Sequence, residues 1–316
     1  MNEPNEETDL SLGASVPSTH FKDWAKPGPL PPGLVRSSVS GTARWGKFSV
    51  QSMPTTVVPL EVEPHETLDA ISGHFRIFQF RDGHRFSTDD ILTAWYGSTW
   101  CPTARTALDL GSGVGTVGMI CAWRLPGAKF VTVEAQSESV ALAKKSARYN
   151  GLNNHYEIRE GDFRAPEILR VEEKFDLIIG SPPYFPLEAG VPSEHPQKLA
   201  CRFELRGTIA DYCATAARHL APGGFFACVF PHEPAQLERV ESAANDSDLV
   251  IVRKRPVVFR EGDPPLIALF GLMRAEDLPE WFRGQTWTEP DLIIRTRDGK
   301  IHPEYSAVKL AIGFPP

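Results

Sequence analysis

Ala107-Leu108-Asp109-Leu110-Gly111-Ser112-Gly113-Val114-Gly115 is the stretch that decides the architecture. A short apolar run broken by a single acid stops abruptly at glycines on alternate positions. Such a run, bounded by turn residues, reads as a buried strand. The glycines let the backbone turn tightly and pass close to a ligand where any Cβ would intrude.

Working outward toward the C-terminus, strand candidates at 106–110, 129–135, 156–160, 175–180 and 224–230 alternate with helical patterns near 115–124, 137–150, 207–220 and 234–244. That alternation predicts an α/β fold with a mostly parallel sheet and helices on both faces. Leu249–Phe259 and Leu266–Met273 then follow each other across Glu261-Gly262-Asp263-Pro264-Pro265 with no helix between them. They are expected to form an antiparallel hairpin at the sheet edge. A short strand at 292–295, a turn at Arg297-Asp298-Gly299-Lys300 and a helix over 304–311 complete the tail, and no internal repeat is found.

Toward the N-terminus, Phe75-Arg76-Ile77-Phe78-Gln79-Phe80 alternates at period two and runs into Arg81-Asp82-Gly83-His84, so a hairpin returning through Arg85-Phe86-Ser87 is expected. Thr88-Asp89-Asp90 opens an apolar helical stripe, Ile91 to Tyr96. Residues 1–66 are rich in Pro, Ser, Thr and acids, and Lys26-Pro27-Gly28-Pro29-Leu30-Pro31-Pro32-Gly33 cannot continue a helix or interior strand. They are expected to be a poorly ordered arm, docked if at all by Trp24, Trp45 and Phe48, with the folded domain over 67–316.

Composition narrows the function. With 41% hydrophobic residues the 316-residue chain can build a sizeable core, and a net charge of -7 argues against coating nucleic acid by bulk electrostatics. The five cysteines form no CxxC pair and the nine histidines no HExxH motif, so no metal site is expected. No apolar run reaches the roughly 18 residues of a membrane span, and the first residues are acidic where a signal peptide would be basic. A cytoplasmic protein with reduced thiols is expected.

Gly113-Val114-Gly115-Thr116-Val117-Gly118 satisfies the GxGxxG fingerprint of dinucleotide enzymes. Two acids bear on the choice of cofactor: Glu134 suits either, while Asp109 favours a different one. Asp109, two residues before Gly111, would repel a pyrophosphate but suit the ammonium of an amino-acid-bearing nucleoside, S-adenosylmethionine. Glu134, at the end of the second strand, can accept both ribose hydroxyls. Asp162, after the third strand, can accept from the adenine amine. At the fourth strand, Phe175–Ile179 leads through Gly180 into Ser181-Pro182-Pro183-Tyr184. The two prolines remove backbone donors, so the carbonyls there can only accept. An aromatic amine can donate to the Pro182 carbonyl and to residue 181 while Tyr184 stacks on its ring.

These residues carry a resemblance. From about Ile71 to Ile312 the chain resembles class I, Rossmann-like methyltransferases that act on amino nitrogens. Within them it resembles the bacterial family that methylates N6 of the adenosine beside the anticodon of a valine tRNA. The matching pieces are Phe86-Ser87-Thr88-Asp89-Asp90-Ile91-Leu92, the glycine turn, Ile179–Phe185 and the closing hairpin and helix. The resemblance implies a seven-stranded sheet in the order 3-2-1-4-5-7-6, Thr88 and Asp89 near the methionine end of S-adenosylmethionine, and a tRNA or other structured RNA as substrate. The expected site is thus Thr88, Asp89, Asp109, Gly111, Gly113, Gly115, Glu134 and Asp162 for the cofactor, with Ser181, Pro182, Pro183 and Tyr184 for catalysis. The family carries Asn where this chain has Ser181, and SPPY also occurs in methyltransferases of the cytosine N4 amine. Cytosine, a protein glutamine amide, and a non-catalytic binding module that keeps the cofactor pocket are therefore alternatives. The 185–203 loop, Arg202, Glu204 and Arg206, the Arg253-Lys254-Arg255 run, and Lys144, Lys145 and Arg148 are candidates for RNA contact or plain solvent faces. Tyr305 and Lys309 are expected to be packing and surface.

Overall fold

The computed structural model describes residues 60–152, 154–184 and 207–314, with the backbone of Val39 and Ser40. The region of the arm before Leu60, including Trp24, Trp45 and Phe48, otherwise lies outside the described residues, as do residues 185–206. β1 (Val39–Ser40) pairs in parallel with β2 (Leu60–Glu61). β3 (Glu66–Ser72) and β4 (Phe75–Phe80) form an antiparallel hairpin turned at Gly73, whose φ is +45°.

That hairpin differs from the expected one: the partner of 75–80 precedes it, and 81–87 is a connecting loop. Asp69 on β3 explains the choice. Its Oδ2 accepts from Thr67 Oγ1, from Gln79 Nε2 at 3.0 Å and from an Arg85 guanidinium nitrogen at 2.7 Å, which holds the loop across the hairpin. The outer edge of β4 is closed by α3 (Ser137–Tyr149) and the residue after it: Arg76 N–H donates to Asn150 Oδ1 at 2.9 Å and Phe78 N–H to Ser146 Oγ at 2.9 Å. Side chains thus satisfy an edge that would otherwise template further pairing. Ordered contacts also begin before the expected boundary at 67, since Leu60 is buried and Glu66 accepts from Lys145 Nζ at 2.5 Å.

α1 (Thr88–Trp100) leads into β5 (Thr106–Leu110), α2 (Thr116–Arg124), β6 (Lys129–Glu134), α3, β7 (Tyr156–Glu160), β8 (Phe175–Gly180), α4 (Ile209–His219), β9 (Leu220–Pro231), α5 (Pro234–Asp246), β10 (Leu249–Val258) and β11 (Ile267–Arg274). Strands β5 to β9 pair in parallel in the order β7-β6-β5-β8-β9, and β11 lies antiparallel between β9 and β10. That is the expected order 3-2-1-4-5-7-6. The sheet nevertheless has nine strands rather than seven. β12 (Trp287–Thr288) and β13 (Leu292–Ile293) add in parallel to the outer side of β10, so the hairpin is not the edge, and α6 (Pro303–Ala311) follows.

Alternate residues of the central strands face opposite layers. Leu177, Ile179, Ala227 and Val229 join Ile91, Leu92, Val117 and Leu142 in one core cluster, which covers the face of α1, α2 and α3. Ile178, Phe226, Cys228 and Phe230 join Ile209, Tyr212, Cys213 and Val240 in the other, under α4 and α5. With both faces covered, the strands can be apolar throughout.

Candidate active site

The chain leaves β5 for β6 on one side and places β8 on the other, so a crevice opens at the carboxyl ends of these strands, where the strand order reverses. A cleft lies there, with about 860 Å³ of open space that includes the solvent at its mouth.

The glycine turn owes its shape to close neighbours. Gly111 sits at φ +61°, and a Cβ on it would strike the Tyr212 hydroxyl of α4. Ser112 N–H donates to Val133 O at 3.0 Å, which ties the turn to β6. Asp109 is 1% exposed, and its Oδ2 accepts the N–H of Gly118 at 2.8 Å inside the first turns of α2. Gly118, the third glycine of the fingerprint, has no room for a side chain: its Cβ would meet the Tyr156 hydroxyl and lie 2.8 Å from Asp109 Oδ2. Glu134 bridges the turn and the next helix, accepting from Gly113 N–H at 2.8 Å and from Gln136 N–H at 2.7 Å. Asp162 accepts from the Arg164 guanidinium at 2.5 Å on the open side of the cleft.

At the end of β8, Pro182 is buried, and Tyr184 turns its ring edge-on to Phe230 at 5.7 Å while its hydroxyl donates to Asp89 Oδ2 at 2.7 Å. A capping box holds the start of α1: Ser87 Oγ accepts from Asp89 N–H at 3.2 Å and Asp90 Oδ2 from Ser87 N–H at 2.9 Å. The Ser181 Oγ is inaccessible to solvent and makes no hydrogen bond of ordinary geometry, yet it lies near enough to Asp90 to favour the charged carboxylate. Ser112 Oγ is likewise buried without a partner.

Burial dominates the titration of these groups. It pushes Asp90 up to about 6, against the opposing pull of Ser87 N–H and the Ser181 hydroxyl. It raises Asp109 well above the ordinary carboxylate range; the Gly118 N–H opposes this, and the charges of Asp90 and Glu134 add to it. Asp89 is raised by burial against the Tyr184 hydrogen bond, and Tyr184 by burial and by Asp89.

Of the residues expected at the site, Asp109, Gly111, Gly113, Glu134, Asp162, Ser181 and Pro183 line one cavity. Gly115 caps α2 behind it at φ +91°. Thr88, Asp89, Pro182 and Tyr184 are not among the lining residues; the acid that α1 turns into the cleft is Asp90. His84, Phe86, Phe163 and Tyr212 also line it. Asp90 was legible only as a capping residue, and Tyr212, far along the chain, left no local signal.

The basic runs are largely packing. Lys145 binds Glu66 and lies 4.6 Å above the Phe78 ring. Arg253 stacks 3.3 Å over Trp100 and donates to Glu289, and Arg255 lies over Trp95. Lys309, expected at the surface, is 8% exposed. The 185–203 loop, Arg202, Glu204 and Arg206 lie outside the described residues.

A doubly wound sheet with a cleft between a glycine turn after its first parallel strand and Ser-Pro-Pro-Tyr after its fourth defines a class I, S-adenosylmethionine-dependent methyltransferase. The chain belongs to these enzymes, and residues 98–254 match the methyltransferase small domain family. It is 27% identical over 192 residues to the tRNA1(Val) (adenine(37)-N6)-methyltransferase of Bacteroides thetaiotaomicron, covering 60% of this chain and 77% of that one. Against the enzyme of the same name from Aeromonas hydrophila it is 26% identical, covering 73% and 91%. An 83-residue stretch is 37% identical to the release factor glutamine methyltransferase of Aliivibrio fischeri, 26% of this chain and only 28% of that relative's length. A crystal structure of a predicted O-methyltransferase from Agrobacterium tumefaciens shares the fold, with a TM-score of 0.53 at 16% identity over 72% of this chain and 98% of that one.

The cleft fits the cofactor of the class. Its lining includes Asp90, Asp109, Glu134 and Asp162 and, among the described residues, no Lys or Arg. Asp162 is already paired with Arg164, and a pyrophosphate would find no Lys or Arg among these lining residues to bind it, whereas a ligand carrying an ammonium and a sulfonium suits an acid-lined cleft. Among the described residues no group of His, Cys, Asp and Glu is arranged to hold a metal, and no helix is long and apolar enough to cross a membrane.

Proposed function

We propose that this protein methylates the exocyclic N6 of adenine in a structured RNA, a tRNA, and that residues 67–316 act as one methyltransferase domain with the N-terminal arm as an addition. The observation that carries the reading is the acid-lined cleft, free of Lys and Arg among its described lining residues, that runs from the glycine turn to Ser181 and Pro183. The similarity to tRNA adenine N6-methyltransferases along most of their length supports adenine as the acceptor.

In this reading Gly111, Gly113 and Gly115 bring the backbone against the cofactor, Glu134 takes the ribose hydroxyls, Asp162 the adenine amine and Asp109 the electrostatics of the amino-acid end. Thr88 and Asp89 act from the first turn of α1, Asp89 by holding the Tyr184 hydroxyl. When bound, S-adenosylmethionine supplies an electrophilic methyl group. Ser181 and the Pro182 carbonyl receive the hydrogens of the acceptor amine, Pro183 holds the backbone extended, and Tyr184 faces the base. Orienting the amine in this way supplies up to about 7 to 11 kcal/mol in favourable cases, with no covalent nucleophile.

Calorimetry tests the cofactor half: S-adenosylmethionine binds and NADH does not, and the reverse sinks the reading. For the acceptor, the protein is incubated with labelled S-adenosylmethionine and undermodified tRNA, and the digested nucleosides are analysed by mass spectrometry. N6-methyladenosine is expected. N4-methylcytosine, or label on a glutamine of a release-factor peptide, would move the acceptor to the alternatives, the second of which the stretch similar to the glutamine enzyme favours. Cofactor binding with no transfer to any of them would indicate a binding module.

A further inference from the structure

We propose that Asp90 is the proton acceptor of the transfer step and, with Ser181, forms the polar pair that receives the substrate amine. The inference rests on the amine-methylation reading above and adds a residue to it.

Ser181 and Asp90 come from different elements, one at the end of β8 and one in the first turn of α1, and both line the cavity. The Ser181 hydroxyl is buried and makes no ordinary hydrogen bond, so it is available to a ligand that brings a donor or acceptor of its own. The Asp90 carboxyl spends Oδ2 on the Ser87 N–H. Among the described residues its other oxygen takes no hydrogen bond of ordinary geometry. A serine hydroxyl is shorter than an asparagine amide and can itself be a donor, so Ser181 alone is a weaker receiver for two amine hydrogens than an amide carbonyl is. A neighbouring carboxylate supplies the missing acceptor.

The chemistry then closes. As the amine nitrogen forms its bond to the methyl carbon, the carbon–sulfur bond breaks and its electron pair stays on sulfur. The nitrogen, left with an extra proton, passes it to the Asp90 carboxylate, which returns it to solvent through the open mouth of the cleft. Burial supports this role, because a carboxyl pushed up to about 6 is ionised at neutral pH yet a far stronger base than an ordinary aspartate. The titratable groups that feel it are Asp89 on its own helix, Asp109 from β5 and Tyr184 after β8, while His84 from the loop before α1 lines the same cavity and acts on Asp89.

The test compares wild type with Asp90→Asn, whose amide oxygen can still cap Ser87, in single-turnover transfer to undermodified tRNA between pH 5 and 9. Wild-type rate should rise with pH through about 6 and level off. Asp90→Asn should lose about 100-fold or more in rate and the acid limb with it, with a loss of S-adenosylmethionine affinity of no more than about tenfold from the removed charge. A variant within threefold of the wild-type rate, or one that keeps the same limb, overturns the proposal, as does a parallel loss of cofactor binding. Should the variant not fold, carbon-13 NMR of the Asp90 carboxyl in wild type decides: titration near the ordinary aspartate value of 3.8 overturns the proposal and titration near 6 supports it. Failure of wild type to methylate any RNA would instead remove the amine reading itself.

Discussion

The Tyr184 hydroxyl donates to Asp89 Oδ2 at 2.7 Å, joining the end of the Ser-Pro-Pro-Tyr tetrapeptide to the first turn of α1 across 95 positions of sequence. The bond fixes the ring that ends Ser-Pro-Pro-Tyr against the helix whose next residue, Asp90, enters the cleft. Tyr184→Phe should therefore cost about 1–3 kcal/mol of stability in urea denaturation, because a buried carboxyl loses its donor. The ring is retained, so transfer should fall by no more than about tenfold, the equivalent of roughly one neutral hydrogen bond. Tyr184→Ala should abolish transfer and spare cofactor affinity. Equal loss of both would make the tetrapeptide a structural turn.

Asp90 gives the protein a pH signature in the absence of substrate. Its folded-state value lies above the ordinary one, about 6 against 3.8, so its contribution to stability is full below 3.8 and is lost as pH rises through 6. Asp90→Asn should thus be more stable than wild type at pH 7.5, and the gain should vanish by about pH 4. Denaturant titrations at several pH values check this; a gain that does not depend on pH would mean the carboxyl is not strained by burial.

Glu134 braces two backbone N–H groups as well as facing the cleft. Glu134→Ala should weaken S-adenosylmethionine binding by about 10-fold or more, since each unmet hydrogen bond is worth about 1–3 kcal/mol. Glu134→Gln should fall between, because an amide keeps one acceptor but turns its NH2 toward a backbone donor. Calorimetry at constant ionic strength separates the three proteins; equal affinities would leave Glu134 a brace only.

Gly118 tests why the chain contains a GxGxxG match. Its missing Cβ leaves room for the Tyr156 hydroxyl and Asp109 Oδ2, so Gly118→Ala should overpack this contact and cost about 1–3 kcal/mol. The melting temperature should fall, and binding should weaken through displacement of Asp109. An unchanged melting temperature would show that α2 can shift to accept the methyl group.

Strand and helix positions after Thr106 were readable because each apolar run has one period and ends at a turn residue. The glycine turn, Glu134 and Ser181 were readable for a related reason: they sit at strand ends, where chain geometry alone aims them at the crevice. The partner of β4 was not. The Asp82-Gly83 signal does bend the chain, but Asp69 ties the following loop down through Arg85 instead of allowing a return strand. β12 and β13 contain only two residues each, too few to show a period, and exist through backbone pairing with β10.

By itself, then, the sequence determined the parallel sheet and the two ends of the cleft, because these follow from local periodicity and from glycine and proline restricting the backbone, while the strand order came from the family resemblance. Tertiary structure decided which of two adjacent aspartates enters the cleft. Neighbouring helical positions point about 100° apart, and the packing of Ile91 and Leu92 into the core sets the rotation that gives Asp89 to Tyr184 and Asp90 to Ser181. It also placed Arg253 on Trp100 and Lys145 on Glu66, partners that no local pattern announces because they are brought together only by the closing of the fold.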